Sequence, residues 1–191
     1  MTIWRAGSLV PILLACLLLS GQSAAGQESK AGYRIKPSDV AVPPDVKLGG
    51  YQRTIRPFGN WTLICDENLE AKQRVCNATQ VIEDATGKMA FSWSLAATRD
   101  GKPYMILRTA PDARQDGLIS FSFEGRGKLV EVRLDGCNEM VCVGMLPVGP
   151  IMREQISKSA APEVSYETTG GNTVTVIAPL EGLSNAVAAI N

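Results

Sequence analysis

Four cysteines in two closely spaced pairs constrain the fold of this chain more than any other sequence feature. Cys65 and Cys76 flank a short polar stretch, and four residues separate Cys137 from Cys142. Before the first pair, the side chains alternate, so that Trp61 and Cys65 fall on the same face of an extended strand. The stretch therefore predicts a β-hairpin whose two strands are joined by a disulfide bond.

The first 25 residues have the layout of a secretory signal peptide. Arg5 supplies a positive charge, residues 9–19 form an apolar run, and Ser23-Ala24-Ala25 places small residues at the cleavage position. The apolar run is shorter than the ~20 residues that a membrane-spanning helix needs. We therefore predict export to the periplasm with cleavage after Ala25, which leaves no transmembrane segment; outer-membrane or surface association, and lipidation of Cys16, are the alternatives.

Removal of this signal leaves an even number of cysteines, which in an exported chain is typical of disulfide bonds. Three connectivities are possible. Cysteines that face each other across a hairpin lie at a separation that a disulfide can span, so we predict Cys65 with Cys76 and Cys137 with Cys142. A redox-active dithiol is the alternative, but thioredoxin-like motifs place two residues between the cysteines, whereas Cys137 and Cys142 have four.

Composition excludes several classes of function. The chain has no histidine, which excludes Ser-His-Asp and Cys-His catalysis and histidine-based zinc sites. Lys and Arg together number 19, equal to Asp and Glu, so the chain lacks the excess of cations that nucleic-acid binding requires. Asp112 and Asp116 form a carboxylate pair, but turns collect aspartate for backbone reasons. We therefore predict no metal site, no cofactor and no enzymatic activity.

Alternating strands dominate the chain from residue 57 onward, and turn residues separate them at regular spacing. The pattern predicts an all-β domain over residues 57–191, an antiparallel β-sandwich of about eight or nine short strands. A helical spacing of apolar residues predicts a short helix near 151–159 and a short helical segment at the C-terminus. Residues 26–56 contain several prolines and glycines and show neither periodicity, so we predict a flexible N-terminal arm there.

The order of these motifs resembles the invasion-associated locus B family. Phe58-Gly59-Asn60-Trp61 opens the domain, the two cysteine pairs follow, and a segment containing Gly182 closes it. The family usually opens with Phe-Gly-Asp-Trp, so Asn60 is a departure. The resemblance implies that Phe58, Gly59, Trp61 and Gly182 are family motif residues. It also implies a β-sandwich and an exported protein of a Gram-negative bacterium without known enzymatic activity, linked in pathogenic members to virulence through host-cell invasion.

Two hypotheses for the function follow. The first is an exported, non-enzymatic interaction protein that contacts an envelope or host-surface protein. The alternative is a periplasmic carrier that holds a small ligand in a pocket between the sheets. A carrier should have a closed apolar pocket, whereas an interaction protein should have a filled core and an exposed apolar patch or an unpaired strand edge.

Overall fold

The computed structural model describes residues 36, 38, 40–97 and 101–190. The predicted signal peptide and Cys16 lie outside the described residues, as does most of the N-terminal part of the predicted arm. The fold below belongs to a compact unit that begins at Val40.

The described part of this unit contains ten strands and two short helices. In chain order they are β1 (Tyr51–Phe58), β2 (Trp61–Asn68), β3 (Gln73–Glu83), β4 (Met89–Ala97), β5 (Pro103–Thr109), β6 (Leu118–Ser122), β7 (Val130–Cys137), β8 (Cys142–Pro147), α1 (Pro150–Ser157), β9 (Glu163–Glu167), β10 (Thr173–Ile177) and α2 (Leu183–Ala188). The predicted helix near 151–159 and the predicted C-terminal helical segment correspond to α1 and α2.

All ten strands belong to one antiparallel sheet in the order β1-β2-β3-β4-β5-β8-β7-β6-β9-β10. The sheet curls, so that a first half (β1 to β5 and β8) faces a second half (β7, β6, β9 and β10). Two contacts across the interior show this directly. The Tyr166 hydroxyl of β9 donates to the Ala90 carbonyl of β4 at 2.8 Å, and Trp93 stacks on Phe121 with ring centroids 5.9 Å apart.

The space between the two halves is filled by large apolar side chains. Each half contributes the alternate residues that face inward, because successive side chains of a strand point to opposite faces of the sheet. Members of this core that have no exposed surface are Trp61, Leu63, Phe91, Trp93, Met105, Leu107, Ile119, Phe121 and Val164.

The architecture corrects the predicted sandwich in two respects. The all-β prediction is confirmed, but the two layers are halves of one curled sheet. They are joined because β7 pairs with β8, with Leu134 opposite Gly144 and Cys137 opposite Cys142. The strand count is also ten and not eight or nine. The additional strand is β1, which lies at the edge of the sheet.

Strand β1 begins inside the range predicted as a flexible arm. Tyr51 to Phe58 pair along their whole length with β2, so the folded domain starts before residue 57. An edge strand is exposed on one flank and most of its side chains contact solvent, which removes the apolar alternation that reveals a buried strand. Ile55 is exposed and Arg53 is charged, and neither residue signals a strand in the sequence.

The structure joins Cys65 to Cys76 and Cys137 to Cys142, which is the predicted connectivity. Both bonds connect residues that are directly opposite in adjacent strands, β2 with β3 and β7 with β8. The Cα atoms lie 4.1 and 3.9 Å apart, respectively. Each bond therefore fixes the register of one hairpin, and the second fixes it where the two halves of the sheet meet.

Removal of either bond should destabilise the domain to a different extent. Closing the Cys65–Cys76 loop, which spans 11 residues, restricts the unfolded chain by roughly 3 kcal/mol, and the shorter Cys137–Cys142 loop by roughly 2 kcal/mol. We expect the double variant C65A/C76A to lose more stability than the double variant C137A/C142A, as measured by urea denaturation. A larger loss in the second variant would show that register at the β7–β8 junction outweighs loop closure.

Candidate functional site

The motif residues lie at the turn between β1 and β2. Gly59 and Asn60 form a two-residue turn, and Gly59 has a positive φ of 62°, which glycine adopts without steric cost. Phe58 is half-buried and Asn60 is exposed. The Arg56 guanidinium lies 5.3 Å from the centroid of the Phe58 ring. Asn60 is therefore a solvent-exposed turn residue, which is a position where Asp and Asn are equally suited.

Trp61 is fully buried and belongs to a network of buried polar groups. Its indole Nε1 donates to the Pro179 carbonyl oxygen at 3.1 Å, and the Gln80 side-chain amide donates to the same oxygen at 2.9 Å. The Gln80 Oε1 atom in turn accepts from the indole Nε1 of Trp93 at 3.0 Å. The network connects β2, β3 and β4 to the segment between β10 and α2.

Gly182 lies against the opening motif. It has a positive φ of 89°, and a Cβ atom at this position would overlap the carbonyl oxygen of Phe58. The backbone of the closing segment therefore approaches the end of β1 more closely than any residue with a side chain allows. The structure thus brings Phe58, Gly59, Trp61 and Gly182 together where the first hairpin contacts the C-terminal segment. We call this contact the joint.

The outward surface of the first half of the sheet carries exposed apolar side chains. Val75 is 72% exposed, Ile55 61% and Val81 53%, and Met145 of β8 is 40% exposed on the same surface. We call this surface the outer apolar face; its members are Ile55, Ile64, Val75, Val81, Ile106 and Met145, which all point away from the core. The outer apolar face was not predicted from the sequence. Its signal there is that Val75 and Val81 alternate in the opposite phase to the inward Cys76, which is typical of a strand with apolar side chains on both faces.

The sheet has two edges with different chemistry. The edge strand β1 carries Arg53, Arg56 and Pro57, and charges and proline at an edge oppose pairing with another strand. The edge strand β10 has the sequence Thr-Val-Thr-Val-Ile, in which all residues are β-branched and none is charged. Only the β10 edge therefore combines high strand propensity with the absence of protective residues.

An ion pair holds β1 to its neighbour. Arg53 donates from Nε and Nη2 to the two carboxylate oxygens of Asp66 at 2.6 and 2.8 Å, and both side chains are about one-third exposed. The Arg53 guanidinium lowers the pKa of Asp66, with a smaller contribution in the same direction from the Tyr51 hydroxyl. Such a two-pronged contact fixes the orientation of both side chains across the strand pair.

Two clefts open on the surface of the described part of the domain. The first, of about 460 Å³, lies on the outward surface of the second half and is lined by hydroxyl and charged groups that include Arg114, Glu131 and Ser165. The second, of about 420 Å³, lies between α1 and α2 and is mainly apolar. The first cleft lies outside the space between the two halves of the sheet, and the second borders one end of that space at Leu95 and Val148.

Within the described ranges, no group of three or more Cys, Asp or Glu residues is arranged to hold a metal ion. Asp112 and Asp116 are both exposed; the Asp112 backbone carbonyl accepts from the Thr169 N–H, and Asp116 borders the first cleft. Neither described helix has the length and apolar character needed to span a bilayer.

Substitution of Gly182 by alanine should destabilise the domain strongly, because it combines an unfavourable φ with a steric overlap on the Phe58 carbonyl. We expect Gly182→Ala to lower the free energy of unfolding by roughly 2–5 kcal/mol. Gly171→Ala is the matched control, since Gly171 also has a positive φ but nothing lies within 4 Å of its Cβ position. Equal losses in the two variants, measured by urea denaturation, would contradict a close approach at Gly182.

The ion pair between Arg53 and Asp66 should make stability depend on pH. The pKa of Asp66 is lower in the folded chain than in the unfolded chain, so its contribution is present above the unfolded pKa of about 3.9 and is lost as the pH falls through the folded value. Asp66→Asn should therefore be less stable than the parent chain at pH 7, and the difference should shrink below about pH 4.

Urea denaturation at several pH values checks this expectation. Asp135→Asn removes an exposed carboxylate of β7 and controls for the change in net charge. A difference between Asp66→Asn and the parent chain that is the same at pH 3 and pH 7 would rule out the ion pair as its cause.

The comparisons with known proteins agree on one family. The sequence profile of the family described as "Invasion associated locus B (IalB) protein" matches residues 61–191. The crystal structure of invasion associated protein b from Bartonella henselae superposes with a TM-score of 0.60 at 13% sequence identity, covering 72% of this chain and 94% of that one. No curated protein matches the chain. The profile match covers more than half of the sequence, and we conclude that the chain belongs to the invasion associated locus B family.

Proposed function

We propose that this protein is exported to the periplasm or cell envelope and functions there, without catalysis, by binding another protein through the outer apolar face. The partner is an envelope or host-surface protein. The observation that carries the proposal is the contrast between a filled core and a strand face whose apolar side chains are left in solvent. Two disulfide bonds, which persist in oxidising compartments, support export.

The outer apolar face has the composition of a contact surface. Its exposed members alternate with small polar groups, and the Ser94 hydroxyl donates to the Thr79 hydroxyl at 3.1 Å while Arg108 donates to Ser94 at 3.0 Å. Ser92 and Ser94 are themselves buried between their larger neighbours. The face is thus a pleated apolar surface in which Thr79, Ser94 and Arg108 are already paired with one another, whereas the buried Oδ1 atom of Asn77 has no hydrogen-bond partner.

A role in host-cell entry is the more specific form of this proposal. It derives from the family's name and from what the resemblance implies for pathogenic members. The Bartonella henselae protein carries the same name, and its similarity to this chain is in the fold.

The alternative function, a small-ligand carrier with a pocket between the sheets, is less well supported. Trp61, Trp93 and Phe121 occupy the space that such a pocket would need, and none of the three has exposed surface. The two clefts described above are open and peripheral. We therefore favour the interaction protein.

Site-specific crosslinking in intact cells tests the proposed surface. A photoreactive residue at Val75 should yield a discrete crosslinked species that mass spectrometry identifies. The same residue at Leu129, which is 50% exposed and lies beside the β6–β7 turn, should not yield that species. Val81→Lys should weaken the Val75 crosslink at least about fivefold, because it places a charge in the contact area.

Two further measurements separate the parts of the proposal. The intact mass of the protein from cells should correspond to a chain that begins at Gly26, and a retained N-terminus would contradict export by signal cleavage. Deletion of residues 26–49 leaves β1 intact and tests the arm. If this deletion abolishes the Val75 crosslink and Val81→Lys does not, the arm and not the outer apolar face is the contact.

A further inference from the structure

The cleft between the two helices differs chemically from the rest of the described surface. Five apolar residues line it: Leu95, Pro103, Val148, Ile156 and Val187. They come from β4, the start of β5, the residues after β8, and both helices. Its polar lining consists of Ser157, Ser184 and Arg153, and none of the described lining residues is acidic.

Among the described residues that line this cleft, Arg153 alone is charged, and its guanidinium makes no ion pair with another described residue. Its backbone N–H donates to the Gly149 carbonyl at 3.0 Å in the first turn of α1. This bond involves the backbone alone and does not position the side chain. Its neighbour along the helix, Glu154, is engaged elsewhere: Lys158 donates to it at 2.6 Å, and Arg126 lies 3.9 Å from its other oxygen. The charge of Arg153 is therefore not compensated by the acidic residue nearest to it in the sequence.

The two helices that form the walls of the cleft are linked by a weak hydrogen bond, and their lining side chains remain partly exposed. The Ser184 hydroxyl of α2 donates to the Ile156 carbonyl of α1 at 3.5 Å, and the long distance makes this a weak link between the helices. Val187 remains 38% exposed, and Ile156 is only partly buried against the core. A bound apolar group would cover surface on both helices that the protein itself leaves in water.

The occupant is defined by these features together. A volume of about 420 Å³ falls within the range of roughly 300–1,000 Å³ that is typical of small-ligand sites. Apolar walls favour a hydrocarbon chain, and a single uncompensated guanidinium with nearby hydroxyls favours a carboxylate at one end of it. We infer that the cleft between α1 and α2 binds a free fatty carboxylate of medium chain length, with Arg153 pairing with the head group and Ile156 and Val187 covering the chain.

This site is independent of the outer apolar face, because it lies at the helices and shares no residue with that surface. Calorimetric titration of the full chain lacking residues 1–25 with decanoate, below its critical micelle concentration, measures the binding directly. We expect saturable binding with a stoichiometry of one. Decyltrimethylammonium, which has the same tail and the opposite charge, should bind at least about tenfold more weakly.

Two variants test the assigned contacts. Arg153→Gln should weaken decanoate binding about tenfold and reduce the preference for decanoate over decyltrimethylammonium, since it removes a charge-assisted hydrogen bond. Arg133→Gln, at an exposed arginine of β7, is the matched control and should leave both affinities unchanged. Val187→Asp should also weaken decanoate binding, and Leu129→Asp, at an exposed leucine beside the β6–β7 turn, is its control. Thermal melting verifies that each variant is folded; if Val187→Asp is not, the arginine pair still decides.

The outcomes that overturn the inference are distinct from those that support it. Absence of saturable decanoate binding overturns it, as do equal affinities in Arg153→Gln and Arg133→Gln. Binding to phosphatidylglycerol vesicles without binding to monomeric decanoate would assign the cleft to a lipid surface and also overturn it. None of these results depends on whether the outer apolar face captures a protein.

Discussion

The fold depends on the carbonyl oxygen of Pro179, which accepts hydrogen bonds from both Trp61 and Gln80 in the core. A curled sheet with two free edges does not close by itself, and the inward faces of β2 and β3 need a cover. The segment between β10 and α2 supplies it: Ala178 and Leu180 are buried there, and Leu183 is buried at the start of α2. A buried indole or amide donor without a hydrogen-bond partner would cost roughly 1–3 kcal/mol of stability. The Pro179 carbonyl must therefore lie within hydrogen-bond distance of both donors, and this requirement fixes the position of the segment on the core.

The position of Gly182 follows from the same constraint. Once the Pro179 carbonyl is directed at Trp61, the chain passes directly against the Phe58 carbonyl before α2 begins, and a side chain there would overlap it. The opening hairpin and the closing segment are thus parts of one packing unit, although Trp61 and Pro179 are 118 residues apart. The predicted motif residues Phe58, Gly59, Trp61 and Gly182 all lie at this contact. Trp61 is buried and Gly182 is in backbone contact with Phe58, so both residues have a role in packing.

Local patterns in the sequence predicted the elements well and their arrangement less well. The alternation of Phe91 and Trp93, and of Ile119 and Phe121, places these residues correctly on inward faces, because period two is a property of the strand alone. The predicted cysteine pairs are likewise opposite neighbours in hairpins. The pairings of β5 with β8 and of β6 with β9 have no local signal, since the strands are separated by other elements. Without them, one curled sheet cannot be distinguished from two stacked sheets.

The surfaces were harder to predict than the core for a related reason. Gln80 reads in sequence as a polar interruption, yet it lies in phase with Ala78 and is buried as the bridge between Trp93 and Pro179. Val75 and Val81 are apolar, yet they are exposed because no described element covers the outward side of β3. Whether a strand has one covered face or two is decided by the layers packed on it, which depend on the whole chain. The joint therefore constrains the identity of Trp61 and Gly182, while the outer apolar face and the cleft between α1 and α2 impose few constraints on residue identity.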